Sequence, residues 1–185
     1  YSFRQFHYSP LLLINAPERA CGKSVALELI ARLAHRSFET ANITVAALFR
    51  IIHLYGPTVL IDEADTFLES NPEMAGILNK GYEHRGVVVR VETIGDRLQP
   101  VPYRVFGPKA IAGIAMERRL ADATLSRCVR VQMRRKVQGE TVQRLRSADR
   151  QKFNHMRSQM HRFVKDSQQE LAKGHTDMPS ELSDR

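Results

Sequence analysis

Short apolar runs bounded by turn residues recur along the chain, and this pattern predicts buried β-strands. Residues 11–14 and 59–61 are uninterrupted apolar runs, which is typical of strands buried on both faces of a sheet. Residues 129–133 alternate apolar and polar side chains, the period of a strand with one exposed face. Further strands are predicted at residues 38–40, 87–92, 101–106 and 109–114.

Between these runs, apolar residues recur every three or four positions, which is the period of a helix with one buried face. The first such helix begins at Lys23-Ser24, and its predicted apolar face is Val25, Leu27, Leu29, Ile30 and Leu33. Further helices are predicted at residues 45–52 (with Thr44 as N-cap), 73–80, 117–123 and 140–173. Alternating strands and helices predict an α/β fold in which a mainly parallel sheet forms the middle of a three-layer sandwich.

Two of the predicted strands form a separate feature. Residues 87–92 and 101–106 are joined by residues 93–100, in which Gly95-Asp96 supplies turn chemistry. The pattern predicts a β-hairpin inserted directly before the strand at 109–114, with Arg97 near its tip.

The predicted organisation is a core at residues 1–137, with the hairpin inserted at 87–106. A helical extension is expected at residues 138–175, and a loose polar tail at 176–185. Because the chain begins with Tyr rather than Met, we expect it to be a piece of a longer protein.

The apolar pattern and the cysteines exclude several classes of protein. No apolar run approaches about 18 residues, so we expect no transmembrane helix and no membrane partner. The two cysteines, Cys21 and Cys128, form no C-x-x-C pair. This argues against a disulfide framework or a structural zinc site and favours a reducing, cytoplasmic location.

A candidate phosphate-binding motif, Gly22-Lys23-Ser24, links the first strand to the first helix. The start of a helix presents unpaired N–H groups and the positive end of the helix dipole to a polyphosphate. Lys23 would reach the β- and γ-phosphates, and the Ser24 hydroxyl would ligate Mg²⁺. The predicted nucleotide-binding residues are Pro17, Ala20, Cys21, Gly22, Lys23, Ser24 and Val25.

One position departs from the full pattern G-x-x-x-x-G-K-[ST]. Pro17 stands where the first glycine belongs, and the loop has no glycine before Gly22. Since proline has no N–H and a fixed φ, the first turn of this loop must differ from the usual one. Taken alone, Gly-Lys-Ser also fits a plain turn into a helix.

A pair of carboxylates, Asp62 and Glu63, directly follows the strand at 59–61. The carboxyl ends of parallel strands are where open α/β sheets place ligands. Asp62 would hold Mg²⁺ together with Ser24, and Glu63 would orient an attacking water. The two motifs in this order predict a P-loop NTPase that uses ATP and Mg²⁺, whereas two surface acids are the simpler alternative.

The motif order also resembles a known family. The matching segments lie within residues 10–150 and include the Gly-Lys-Ser region, AALFR, PTVLIDEAD, GILNKG, PKAIAGI and LSRCVRVQMRRK. They resemble a family of P-loop ATPase domains found in phage and integrative-element proteins of the helicase and DNA primase/helicase type. More broadly, the chain is similar to the AAA+ class, in the branch that carries a hairpin before the sensor strand.

The AAA+ resemblance implies a homo-oligomeric ring and two further functional positions. Arg127, in Leu125-Ser126-Arg127, would be a catalytic arginine finger that acts on the neighbouring subunit's ATP. A polar sensor residue is implied on the strand at 109–114, where this chain has Ala112-Gly113-Ile114.

The net charge of +8 is concentrated in one part of the chain, since residues 118–165 contain 14 Lys/Arg and 3 Asp/Glu. Such an excess favours a polyanionic partner, with nucleic acid as the first candidate. A solvated basic helix face, or one paired with acids of another domain, is the alternative. The candidate contacts to single-stranded or forked DNA are Arg97, Arg118, Arg119, Arg134, Arg135 and Lys136.

Two functions are consistent with these features. The first is an ATP-hydrolysing domain of a mobile-element DNA helicase or primase-type replication protein. The second is a nucleotide-gated loader or regulator that binds DNA with little or no hydrolysis, which Pro17 and the missing sensor residue favour. A weaker third interpretation is a fold that binds nucleic acid without nucleotide.

Overall fold

The computed structural model describes residues 2–142, 144–145 and 150–173. Its strands are β1 (Leu11–Ala16), β2 (Ser37–Thr40), β3 (Thr58–Ile61), β4 (Val87–Ile94), β5 (Arg97–Arg104), β6 (Lys109–Ile114) and β7 (Cys128–Gln132). Its α-helices are α1 (Lys23–Leu33), α2 (Val45–Tyr55), α3 (Pro72–Lys80), α4 (Asp122–Leu125), α5 (Arg150–Asp166) and α6 (Gln168–Lys173). Short 3₁₀ helices lie at Phe3–Gln5, Ala64–Thr66 and Met116–Arg118.

Five strands form one parallel sheet in the order β2-β3-β6-β1-β7. Leu11, the first residue of β1, lies beside Lys109 of β6 and Cys128 of β7, so these strands begin together. We call the side where the strands begin the amino edge and the side where they end the carboxyl edge. The predicted α/β class and mainly parallel sheet are confirmed.

The path of the chain through the sheet explains why both faces are covered. From β1 the chain crosses to the edge strand β2, returns through β3 and β6, and passes β1 to reach β7. Helix α1 packs on one face, whereas α2 and α3 pack on the other. The chain reverses its direction across the sheet after β2, and the next helix, α2, lies on the face opposite α1. The two changes occur together because crossover connections between parallel strands all have the same hand.

Each face has its own apolar core. On the α1 face, Leu27 and Ala31 are one helical turn apart and pack against β1, β3 and β6. On the other face, the buried residues of the helices are Leu48, Phe49, Ile52, Met74, Ile77 and Leu78. The predicted apolar face of α1 was partly wrong, because Val25 and Leu29 are exposed at 51% and 42%.

The predicted hairpin is present at residues 87–104, and its two strands extend closer to the turn than the apolar pattern indicated. Strand β5 ends before the predicted residues 105–106. Strands β4 and β5 pair only with each other in the described chain, and the two-residue turn Gly95-Asp96 joins them. Gly95 has a φ of +62°, a conformation that suits glycine in such turns. The hairpin packs on α2, where the rings of Phe49 and Tyr103 are 4.6 Å apart.

The segment after β6 differs from the prediction in two places. The helix predicted at 117–123 is a 3₁₀ turn, Met116–Arg118, followed by the single-turn helix α4. In the predicted helical extension, residues 140–142 and 144–145 are not helical, and helix α5 spans Arg150–Asp166. The predicted tail at 176–185 lies outside the described residues, as does part of the predicted extension.

Helix α5 is attached to the core through α1. Phe153 is its one buried residue, and the Arg32 guanidinium lies 5.3 Å from the centre of the Phe153 ring. No helix in the described ranges combines the length and the apolar character that crossing a bilayer requires.

A lysine is buried at the amino edge. Lys109, the first residue of β6, is 5% exposed, and its Nζ donates hydrogen bonds to the carbonyls of Gly107 at 2.7 Å and Gly81 at 3.0 Å. Burial lowers the pKa of Lys109 from 10.5 to about 7.

Candidate functional site

The carboxyl edge of the sheet brings the two sequence motifs to one side of the molecule. Residues 17–22 follow β1, and Asp62-Glu63 follows β3. Strand β6 lies between β1 and β3. Because all these strands are parallel, the loops that follow them meet at the same edge.

Residues 17–22 form an exposed loop with one buried anchor. Cys21 is 5% exposed, whereas the other five residues are exposed. Ala20 and Gly22 have φ values of +60° and +84°, while Cys21 between them and Lys23 after them have negative φ. The left-handed Gly22 followed by the helical Lys23 is the kind of pair that turns successive N–H groups toward one point and forms a concavity that suits an anion.

The start of α1 adds to this concavity. Gly22 is the N-cap, and the first helical hydrogen bond runs from the Ala26 N–H to the Gly22 carbonyl at 3.0 Å. The N–H groups of the first helical turn therefore have no intrahelical acceptor. The Lys23 Nζ donates to the Glu18 carbonyl at 3.2 Å, which places the ammonium beside the same loop.

Ser24 and Asp62 line one pocket of about 430 Å³. The Asp62 N–H donates to the Thr40 carbonyl at 2.9 Å, and this bond fixes the end of β3 against β2. Asp62 Oδ1 accepts from the Glu63 N–H at 2.8 Å. The remaining lining residues are Leu27, Glu28, Glu39, Thr40, Ala41 and Leu60.

The pocket offers oxygen ligands of the kind that Mg²⁺ prefers. The Ser24 hydroxyl and the Asp62 carboxylate are both hard oxygen donors. Mg²⁺ commonly takes one or two protein ligands and completes its shell with water and phosphate oxygens. A cage built entirely from side chains is not found, because the described residues contain no cluster of three or more His, Cys, Asp or Glu that could hold a metal.

Glu63 stands at a strained point directly after β3. Its φ is +53°, and its carbonyl accepts from the Thr66 hydroxyl at 2.8 Å at the start of a 3₁₀ turn. The Glu63 side chain is exposed. Ala115 has the same conformation, with a φ of +51°, after the neighbouring strand β6. Non-glycine residues in this region are uncommon and often occur at functional sites.

A buried amide outside the two sequence motifs connects the end of β1 with β7 and with the segment after β6. Asn15, near the end of β1, is 6% exposed. Its Oδ1 accepts from the Met116 N–H at 2.8 Å, and its Nδ2 donates to Gln132 Oε1 at 3.1 Å. Gln132 in turn donates to Glu117 Oε1 at 2.7 Å. The only sequence signal for this network was a polar residue inside an apolar strand.

Three of the six residues predicted to contact DNA form ion pairs with carboxylates of the same chain. Arg119 pairs with Glu69 at 3.0 Å, and Arg134 pairs with Glu140. Arg135 pairs with Glu18 at 3.1 Å and donates to the Arg19 carbonyl at 3.2 Å, which ties the segment after β7 to the phosphate-loop candidate.

The other three predicted contacts are exposed. Arg118 and Lys136 are exposed at the carboxyl edge, after β6 and β7. Arg97 is exposed at the tip of the hairpin.

Arg127 lies at the opposite edge from Lys23 and Asp62. Its carbonyl accepts from the Leu11 N–H at 3.0 Å, at the start of β1. Its guanidinium donates to the Ala123 carbonyl and lies 5.8 Å from the centre of the Tyr82 ring. Within one copy of the chain, Arg127 is not part of the pocket.

Comparison with known proteins adds no relative to this description: no protein-family model matches the chain, and neither does any curated protein. The fold and the site together define an α/β domain with a mostly parallel five-stranded sheet and an antiparallel hairpin, compatible with a Rossmann-like sandwich.

Proposed function

We propose that this domain binds ATP with Mg²⁺ at the carboxyl edge of the sheet, as a P-loop NTPase of AAA+-like type. The observation that carries the proposal is the position of Ser24 and Asp62, which line the same pocket. Ser24 follows the exposed loop 17–22 by two residues. The two motifs are separated in sequence, and the fold places them at one edge.

The phosphate groups are held by the loop and the start of α1. The N–H groups around Ala20–Val25 supply neutral donors, and Lys23 supplies a positive charge. The left-handed conformation of Ala20 supports this role, since it provides without glycine the backbone direction that a concave loop needs. Pro17 lies outside the residues whose φ values alternate.

Bound Mg²⁺ would neutralise charge that develops on the transferred phosphoryl group. Ser24 and Asp62 are the residues of this chain that would hold the ion. Asp62 is fixed by hydrogen bonds at its own N–H and at Oδ1, so its carboxylate keeps a defined direction.

Hydrolysis requires two further roles that we assign to Glu63 and Arg127. The exposed Glu63 carboxylate, next to Asp62, orients the attacking water. Arg127 acts only between copies of the chain, since it lies at the far edge of its own sheet. The proposed context is a homo-oligomer that acts on DNA within a helicase or primase-type replication protein of a mobile element.

A second candidate function is a nucleotide-gated DNA-binding module with little hydrolysis. The end of β6 favours it, because Gly113, Ile114 and Ala115 provide no polar side chain between the two motifs. The nearby Asn15 amide is already hydrogen-bonded to Met116 and Gln132.

Two measurements test the proposal. A fluorescent ATP analogue titrated with Mg²⁺ should bind the wild-type chain and bind Lys23→Ala much more weakly, with Lys80→Ala as the matched lysine control. Phosphate release should be detectable with wild type, and Glu63→Gln should keep binding but lose most turnover. Glu69→Gln, on the same segment, is the control for this change.

The outcomes separate the candidates. Binding without turnover in wild type would support the nucleotide-gated module. Equal affinity of wild type and Lys23→Ala, or no affinity at all, would refute nucleotide binding at this edge.

A further inference from the structure

We propose that a cationic groove at the amino edge of the sheet binds single-stranded nucleic acid. The groove has a volume of about 630 Å³ and lies on the opposite side of the sheet from the proposed nucleotide site. Its residues come from segments that are distant in sequence. They are Phe3, Arg4, Arg36, Ile52, His53, Leu54, Tyr55, Gly56, His84, Arg85, Val87, Arg104 and Phe106.

Four arginines face this groove without a compensating acid. Arg4, Arg36, Arg85 and Arg104 are all exposed, and the lining contains no Asp or Glu. None of the four forms an ion pair with a carboxylate in the described part of the chain. Like charges gathered in this way repel each other unless an anion lies between them, so the groove is complementary to a polyanion.

A backbone carbonyl holds one of these guanidinium groups in place, and a second lies close to Gly56. Arg36 has a φ of +51° and donates from Nη1 to the Tyr55 carbonyl at 3.3 Å, which satisfies the last turn of α2. The guanidinium has five N–H donors, so others remain for a ligand. Arg4 Nη2 lies 3.1 Å from the point where a Cβ on Gly56 would stand, so glycine allows this close approach.

Aromatic side chains form the second half of the site. The Phe106 ring lies 5.7 Å from the Phe3 ring and 4.9 Å from the His84 ring, which makes an aromatic cluster in the groove. Tyr55 is 62% exposed. Aromatic faces accept stacked bases with little preference for sequence.

The combination identifies the ligand class. Guanidinium groups match phosphodiester oxygens in geometry and charge, and the rings match unpaired bases. An acidic peptide would use the arginines but would leave the aromatic faces without a partner. The inference takes from the proposed function only that the partner is nucleic acid, and it requires no hydrolysis.

The test is fluorescence anisotropy of a labelled oligo-dT of about 20 nucleotides, longer than the site size of about 4–16 nucleotides of a small single-strand-binding fold. The protein is the full chain without nucleotide. The groove variant is Arg85→Gln/Arg104→Gln. A charge-matched variant, Arg130→Gln/Arg162→Gln, changes two arginines outside the groove that pair with Glu117 and Asp166.

The expected loss follows from counterion release. Each phosphate contact to a single strand contributes about 0.7 to the slope of log affinity against log salt concentration. Removal of two contacts should reduce the slope by about 1.4 and weaken binding about tenfold at about 0.15 M salt. The charge-matched variant should stay within about twofold of wild type. Tyr55→Leu should weaken binding about fivefold or more through lost stacking.

Three results of the direct titrations would overturn the inference. They are equal losses in the groove and charge-matched variants, no binding by wild type at low salt, and a loss confined to Arg118→Gln/Lys136→Gln at the carboxyl edge. Equal displacement of the oligonucleotide by polyglutamate at equal charge would also overturn it in favour of an acidic protein partner. Circular dichroism and the urea midpoint confirm that each variant is folded.

ATP-analogue binding measured on the same samples keeps the two proposals apart. The groove variants should bind the analogue as wild type does, because the groove and the pocket at Ser24 share no residue. If wild type binds the oligonucleotide but not the analogue, the nucleotide site is refuted and the groove is not.

Discussion

The buried Lys109 predicts that this fold becomes more stable as the pH rises above neutrality. Its ammonium donates to two carbonyls, at 2.7 and 3.0 Å, and has no carboxylate partner among the residues described. Burial lowers the pKa of Lys109 to about 7 in the folded chain, whereas an exposed lysine has a pKa of 10.5. Between these two values, the unfolded chain binds more protons than the folded chain. The free energy of unfolding must therefore increase with pH in this window.

The size of the effect has a clear upper limit. A pKa change from 10.5 to about 7 corresponds to about 5 kcal/mol at about 1.4 kcal/mol for each pH unit. The cost of the buried charge is fully present below pH 7 and is lost as the pH approaches 10.5. The carbonyls of Gly81 and Gly107 favour the charged form. We therefore expect the unfolding free energy to rise by several kcal/mol over this pH range, which is less than the limit.

Urea unfolding of wild type and Lys109→Met at a series of pH values measures this gain. Because the other titrating groups are common to both chains, the difference between the two unfolding free energies isolates Lys109. As the pH rises, the unfolding free energy of wild type should increase relative to that of Lys109→Met. Lys109→Gln, which keeps N–H donors for the two carbonyls, serves if the methionine variant does not fold. A difference that stays constant from pH 7 to 10.5 would refute the reasoning, since Lys109 would then remain charged in the fold.

Three further changes test the loop, the core and a helix cap, each by urea unfolding. Ala20→Gly should raise the unfolding free energy by up to about 1 kcal/mol. Relief of the left-handed conformation of alanine outweighs the added entropy of the unfolded chain. A lower unfolding free energy in the variant would contradict strain at Ala20. Ile111→Ala, at a fully buried position in the central strand β6, should cost about 2–5 kcal/mol, and a cost under about 1 kcal/mol would mean that the two helical layers close the cavity. Thr44→Ala removes the side chain that accepts from the Ala47 N–H at 3.2 Å and should cost about 1 kcal/mol, whereas Thr44→Ser should restore most of it.

Local patterns predicted the parts of the fold that depend on neighbours in sequence. The apolar runs located β1 and β3 within one or two residues, and the Thr44 N-cap is present. The length of strand pairing near the hairpin turn was underestimated, since the polar and proline residues of β5 pair with β4 through their backbones. The apolar period of α1 included Val25 and Leu29, which the sheet does not cover.

The parts that could not be predicted depend on contacts between distant segments. The sequence indicated a defective loop at Pro17, but not that Ala20 would adopt the left-handed conformation. It indicated a basic segment, but not that Arg134 and Arg135 would pair with Glu140 and Glu18. The amino-edge groove gave no local signal, because its residues come from widely separated parts of the chain.

The separate pairing of β4 and β5 has a mechanical consequence. A ribbon that is not hydrogen-bonded to the main sheet can tilt as a unit when the helices beneath it shift. Each strand of the ribbon has eight residues, which gives a lever of roughly 27 Å at about 3.4 Å per residue. Ion pairs of Arg90 with Glu73 and of Glu92 with Arg50 hold the ribbon to α3 and α2. A rotation of the ribbon with these helices by about 10° would displace the Arg97 end by up to about 5 Å. Small rearrangements of α2 and α3 would therefore produce a larger displacement at the turn of the hairpin.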